Sequence, residues 1–284
     1  MSKKRRITKL TIVTWVVAWA IALIWAIPFI GIFLASIRPY SEVEFGWWNL
    51  HPFTIDLHNF VDAWVGLSNP EYPLSLGVFR SLLITIPATF LPIFIAALAA
   101  YSFSRFRSGI KDLLFLVLVL LQTIPQQMVI IPIFSMFHDW DLLNNYIGLI
   151  LLHTAFGLPW IVLFLRNFFS TLPVEVEEAA RVDGASHFKI FYKIVLPLTL
   201  PALASLISLQ FVFVWNDFFF ALAVVTDPSK WIATEMIPIL VGRYATNWSL
   251  LSAGAIIVMI FPVAMYFALQ RYYVRGLTAG AVKG

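Results

Sequence analysis

The sequence predicts an all-α membrane protein of six transmembrane helices, and three observations predict it. Of its 284 residues, 61% are hydrophobic and 12% charged, against about 45–50% and about 25% in soluble domains. The formal charges leave six uncharged stretches, each longer than the roughly 20 residues that cross a bilayer. When those stretches are taken as spans, 15 of the 19 basic residues fall on one side, as the positive-inside rule requires. A soluble enzyme is excluded, because the polar residues are too few to cover a core of this size. Disorder is excluded as well, because it requires low hydrophobicity. With no Cys, there are no disulfides, thiolate ligands or cysteine nucleophiles.

The spans follow in order. Nothing charged occurs between Lys9 and Arg38, Arg80 and Arg105, Asp112 and Asp139, Asp141 and Arg166, Lys193 and Asp217, or Arg243 and Arg271. In lipid each stretch must be helical, because only a helix satisfies its own backbone polar groups. The expected spans are 12–37, 81–104, 113–137, 146–165, 201–225 and 250–270. The first is too long for the apolar core of a secretory signal and is expected to be retained. Basic residues place both termini in the cytoplasm, together with the loop around Arg105–Lys111 and the loop from Arg166 to Lys193. Only Arg38, Arg80, Lys230 and Arg243 lie outside. The external segment 38–79 carries Trp47 and Trp48, which suit a membrane–water boundary. Its stretch Asp56–Trp64 can form a short amphipathic helix. With no internal repeat, residues 1–284 are expected to form a single transmembrane domain, multi-pass in the cell membrane. Membrane lipid is its surroundings, and no nucleic-acid partner is expected.

Much chemistry is missing. No G-x-x-x-x-G-K-[ST] occurs, so the chain has no phosphate-binding loop of its own. His51, His58, His138, His153 and His187 are scattered without metal-ligand spacing, so no metal, cofactor or catalytic residue is expected. Asp217, beside Asn216, is the one Asp, Glu, Lys or Arg within a span. It either lines a pathway or serves as an interfacial carboxylate, because a charge facing hydrocarbon is costly. Gln122, Gln126 and Gln127, with Pro125 and Pro132, interrupt the third span. They line a polar route or bridge helices.

The loop 171–197 reads as two short helices joined at a glycine. Thr171 and Pro173 give a helix start, and Glu175, Glu177 and Glu178 fall in its first turns, where the helix dipole favours anions. Gly184 suits a left-handed C-cap. Ser186 caps the next helix, expected to end before Pro197. Ala179 and Ala180 present a small, flat surface that another backbone can approach.

Glu178-Ala179-Ala180, Gly184, Ile194 and Leu196-Pro197 stand at the spacing of one known motif. The loop resembles the EAA loop of binding-protein-dependent ABC importer permeases. The likeness extends to Leu98–Phe106, Trp215-Asn216-Asp217 and the ending Gln270–Gly284, and narrows to the maltose-type sugar permeases. Ala281, where the maltose version has Gly, is a mild departure.

The resemblance implies type I ABC importer permease architecture. It implies import of a sugar, a di- or oligosaccharide, with a second homologous permease subunit, two ATPase subunits and an extracytoplasmic solute-binding protein. ATP and Mg would be bound by those partner subunits. Glu178, Ala179, Ala180, Asp183 and Gly184 would couple the chain to an ATPase, Glu178 by pairing with an arginine. Gly276, Leu277, Thr278, Gly280, Lys283 and Gly284 belong to the tail 271–284. Three glycines in its last nine residues are unsuited to a helix in water, and the resemblance implies an extended strand between the ATPase subunits. Gln122, Gln126, Asn216 and Asp217 are the candidates for the translocation path. A glycerol-phosphate or polyol importer would use the same scaffold, but no span offers the basic residues that a phosphate favours. An ion-coupled secondary transporter is the alternative of another class, disfavoured by the scarcity of charge within the spans.

Overall fold

The uncharged stretches become helical, as backbone without water to bond must. The computed structural model describes residues 9–106, 108–241 and 246–281, and among these there is no strand. Helix α1 is Lys9–Ser36, α2 His58–Val65, α3 Leu74–Arg105, α4 Gly109–Leu121, α5 Gln126–Asp139 and α6 Tyr146–Phe169. There follow α7 Val174–Val182, α8 His187–Leu198, α9 Leu200–Trp215, α10 Phe219–Val224 and α11 Trp248–Ala281. Four of them, α1, α3, α6 and α11, are long and apolar enough to cross a membrane. The bent pairs α4–α5 and α8–α9 make six if each pair is one span.

Two spans depart from the sequence reading. Residues 113–137 are not one rod, because α4 and α5 meet at 102°. The break precedes Pro125, whose ring drives the residue before it out of the helical region. Residues 201–225 are not continuous either. Helix α9 leaves α8 at a 74° bend and stops at Trp215. The Asp217 carboxylate then accepts from the backbone N–H groups of Phe220 and Ala221 at 3.2 and 3.0 Å, starting α10 afresh.

The chain packs as two compact units, one of residues up to Leu74 with Ile237–Val258, the other of Ser75–Met236 with Met259 onward. In the first, α1 is apolar on every side and only 6% of its span is buried, the pattern of a helix whose solvent is lipid. Beyond α1 the chain folds around Arg38, which is wholly buried. Its Nε donates to Glu42 at 3.0 Å and its Nη2 to the carbonyls of Asn49 and Pro52 at 2.7 and 2.9 Å. The Asn59 amide of α2 donates to the Ser36 carbonyl that the end of α1 leaves open and to the Arg38 carbonyl just beyond it.

In the second unit, α3 carries Pro87 and Pro92. Pro92 has no N–H to give the carbonyl four residues back, that of Ala88. Gln210 of α9, 2% exposed, donates to that carbonyl from its Nε2 at 3.2 Å. Gly157 of α6 leaves the room, since a Cβ there would stand 2.8 Å from the same nitrogen. One kink thus ties three helices together. Two apolar clusters complete this unit, one around Tyr101, Leu165, Phe169 and Phe191, the other around Ile84, Leu149, Val214 and Phe220.

Candidate functional site

The 171–197 loop is built as its residues suggest. Pro173 precedes α7, and Glu175 and Glu177 occupy its first turn. Helix α7 ends in a Schellman turn, with Gly184 N–H bonded to the Arg181 carbonyl and Ala185 N–H to that of Ala180, both at 3.0 Å. Gly184 has φ +78°, yet a Cβ there would meet nothing within 4 Å. The backbone conformation, and not crowding, demands glycine. Ser186 Oγ accepts from the Lys189 N–H at 3.3 Å and caps α8. The expected stop before Pro197 is wrong, because α8 runs on to Leu198. Residues Phe191–Val195 form a π-helical turn, and this widened turn relieves the clash that Pro197 would otherwise make.

Glu177 and Glu178 are neighbours with opposite fates. Glu178, Ala179, Asp183 and Gly184 are exposed and Ala180 is half-buried, so the surface available to a partner holds the residues singled out in the sequence. Val182 and Phe188 join that surface, 87% and 71% exposed. Glu177 turns inward. Its Oε1 lies 2.8 Å from Arg105 Nε and 2.7 Å from Arg105 Nη2, and its Oε2 accepts from the Tyr101 hydroxyl at 3.2 Å. Arg105 ends α3, so a buried ion pair joins the loop to that helix.

The candidate pathway residues are not brought together as one cluster. Gln122 and Gln126 are exposed at the bend between α4 and α5, and Asn216 is exposed beyond α9. The side chain of Asp217 is 9% exposed, with His153 Nε2 3.4 Å from its Oδ2. Glu235 is 4% exposed and accepts from the Ile232 N–H at 3.1 Å. Burial pushes its carboxyl up to about 7, against the pull of the Ile232 N–H and with a further push from the Asp217 charge.

The tail differs from the sequence expectation. Helix α11 continues through Gly276, Leu277, Thr278 and Gly280 to Ala281. A helix already nucleated in the span extends without the cost of starting anew. Lys283 and Gly284 lie outside the described residues.

Residues 88–279 match the family described as binding-protein-dependent transport system inner membrane component. The chain belongs to this family. The match begins at Ala88 in the kink of α3 and takes in the whole 171–197 loop. A probable ABC transporter permease protein of Pyrococcus horikoshii is 48% identical over 94% of this chain and 96% of its own length. The alpha-glucoside transport system permease protein of Rhizobium meliloti is 42% identical over 82% of this chain and 61% of its own length. Among solved structures, a chain of a bacterial ABC transporter involved in import of the acidic polysaccharide alginate superposes with a TM-score of 0.76. It is 26% identical, and the likeness covers 96% of this chain and 98% of that one. The protein is thus an ABC permease, a transport component embedded in the membrane with the type I importer fold.

Sequence reasoning missed Tyr101, Arg105 and Glu177 as a unit. Arg105 was legible as a basic residue beside a span and, with Tyr101, as part of the family-like stretch Leu98–Phe106, but nothing in its spacing points 72 residues onward. Val182 and Phe188 carried a signal that could have been used, being large apolar side chains close on either side of the Asp183–Ser186 turn.

Proposed function

We infer that this chain is the permease subunit of an ATP-driven importer that carries a di- or oligosaccharide into the cytoplasm. It works with a second homologous permease, two ATPase subunits that bind ATP and Mg, and an extracytoplasmic solute-binding protein. The chain itself hydrolyses nothing. The observation that carries this reading is the loop of a family permease presenting Glu178, Ala179, Asp183 and Gly184 outward on a fully capped helical turn. Small residues let an ATPase backbone approach, and Glu178 gives it a carboxylate to pair with an arginine. The 15-to-4 division of basic residues supports both termini and this loop on the cytoplasmic side. The tail residues Gly276–Gly284 then lie near the ATPase subunits and tune turnover. The named glucoside and alginate transporters support a carbohydrate.

The test is uptake into proteoliposomes holding the whole complex, with a panel of radiolabelled oligosaccharides, glycerol phosphate and polyols. ATP-dependent, protonophore-resistant uptake of an oligosaccharide is expected. Preference for glycerol phosphate or a polyol would correct the substrate. Uptake driven by an ion gradient would correct the class.

A further inference from the structure

We propose that the Glu177–Arg105 ion pair, steadied by Tyr101, is the strut that carries movement of the 171–197 loop into α3. Glu177 and Arg105 are then positioning residues for transport, and the proposal rests on reading that loop as the ATPase docking element. Both side chains are nearly sealed from solvent, 9% exposed for Arg105 and 2% for Glu177. Merely holding two elements together gives no reason for such a pair, because apolar residues of the same volume do that at least as well. The pair adds direction. Arg105 Nε donates to one carboxylate oxygen, with Nη2 in close charge contact with the same oxygen. The hydroxyl of Tyr101 bonds the other oxygen, so the two oxygens are held by different groups and rotation of the carboxylate is resisted as well as separation.

The charges also suit the helix ends that carry them. Arg105 is the last residue of α3, where the dipole favours a cation, and Glu177 lies in the first turn of α7, where it favours an anion. The second anchor of the loop is of another kind. Ile190 and Phe191 of α8 sit in the apolar cluster with Leu165 and Phe169, and Phe191 meets the Tyr101 ring at 5.1 Å. Apolar contact resists separation but slides. A push delivered on the outward face of α7, at Glu178 and Ala179, therefore reaches α3 through the neighbouring residue Glu177.

Since the chain has no Cys, two spin labels can be placed without removing others. In the complete importer in nanodiscs, Cys at Leu83 of α3 and at Ser186 of the loop are labelled. Their separation is measured by double electron–electron resonance without nucleotide and after trapping with ATP and vanadate. The strut predicts one narrow distance, the same in both states. In Glu177→Gln, with ATPase subunits still co-purifying, the distribution should broaden and shift on trapping, while ATP hydrolysis continues. The exchange Arg105→Glu with Glu177→Arg should restore the single distance. Tyr101→Phe, which keeps the ring and its packing, should show a smaller broadening and covers the case in which Glu177→Gln does not fold. A narrow, unchanged distance in Glu177→Gln or an unrestored exchange overturns the strut. So does a Tyr101→Phe indistinguishable from wild type. If Cys at Ser186 in otherwise wild-type protein cannot be cross-linked to an ATPase subunit, the docking reading fails instead.

Discussion

Gln210 donates from α9 to the Ala88 carbonyl of α3 at 3.2 Å, making the hydrogen bond that Pro92 cannot. Gln210→Leu fills the same volume and leaves the carbonyl unsatisfied, which costs about 1–3 kcal/mol. Gly157→Ala should cost a comparable amount, because its methyl would stand 2.8 Å from Gln210 Nε2 and push away the carboxamide that makes this bond. Thermal unfolding of the detergent-solubilised complex measures both. If Gln210→Leu melts with wild type, the bond contributes nothing to stability.

The sidedness of the chain is testable at three exposed serines. Cys introduced at Ser41 or Ser229 should react with an impermeant maleimide from outside intact cells, and Cys at Ser186 should react only after lysis. The reversed pattern would remove both the topology and the docking of the loop on an ATPase.

For the loop itself, Glu178→Ala should leave the permease in the membrane and abolish transport, with the ATPase subunits lost or their hydrolysis unresponsive to the solute-binding protein. Gly184→Val places a β-branched residue at φ +78° and should cost about 1–3 kcal/mol in strain. Gly184→Asn should retain far more activity, because Asn tolerates that conformation. Equal function in Val and Asn variants would show that the positive φ has no importance.

Glu235 gives a pH dependence with a definite sign. Burial holds its carboxyl at about 7 in the folded protein, against 4.5 for a solvated glutamate. The protonated form is the one that folding favours. Its stabilising contribution is complete below about 4.5 and is lost as pH rises through about 7, amounting to about 3 kcal/mol by pH 8. Melting temperature should therefore fall between pH 5 and pH 8, and Glu235→Gln should flatten that part of the profile. A Gln variant that keeps the wild-type slope would assign it to another group.

Helix existence was legible because a charge-free stretch in lipid has one way to satisfy its backbone. Helix direction was less so. Pro125 announces a break, but the 102° between α4 and α5 depends on what each half packs against. The Schellman turn at Gly184 and the cap at Ser186 were legible because their bonds span only a few residues. The roles of Glu177 and Glu178 were not. Adjacent side chains on a helix point about 100° apart, and which one faces inward is decided by Arg105, far away in sequence. Asp217 reads in sequence as a charge needing a reason, and in the structure much of its bonding is local, to the first turn of α10.

The socket of Arg38 has a consequence for how the chain is made. Its carbonyls and Glu42 surround the guanidinium only after the loop has folded. While α1 is entering the membrane, Arg38 is a bare cation just past the span, competing with Lys3, Lys4, Arg5, Arg6 and Lys9 to remain behind. In the proposed orientation, with the N-terminus cytoplasmic, the five prevail by number, and the late bonds of the sixth play no part in that contest. Neutralising the leading five would leave Arg38 to choose, and a nascent α1 would thread the opposite way before its socket existed.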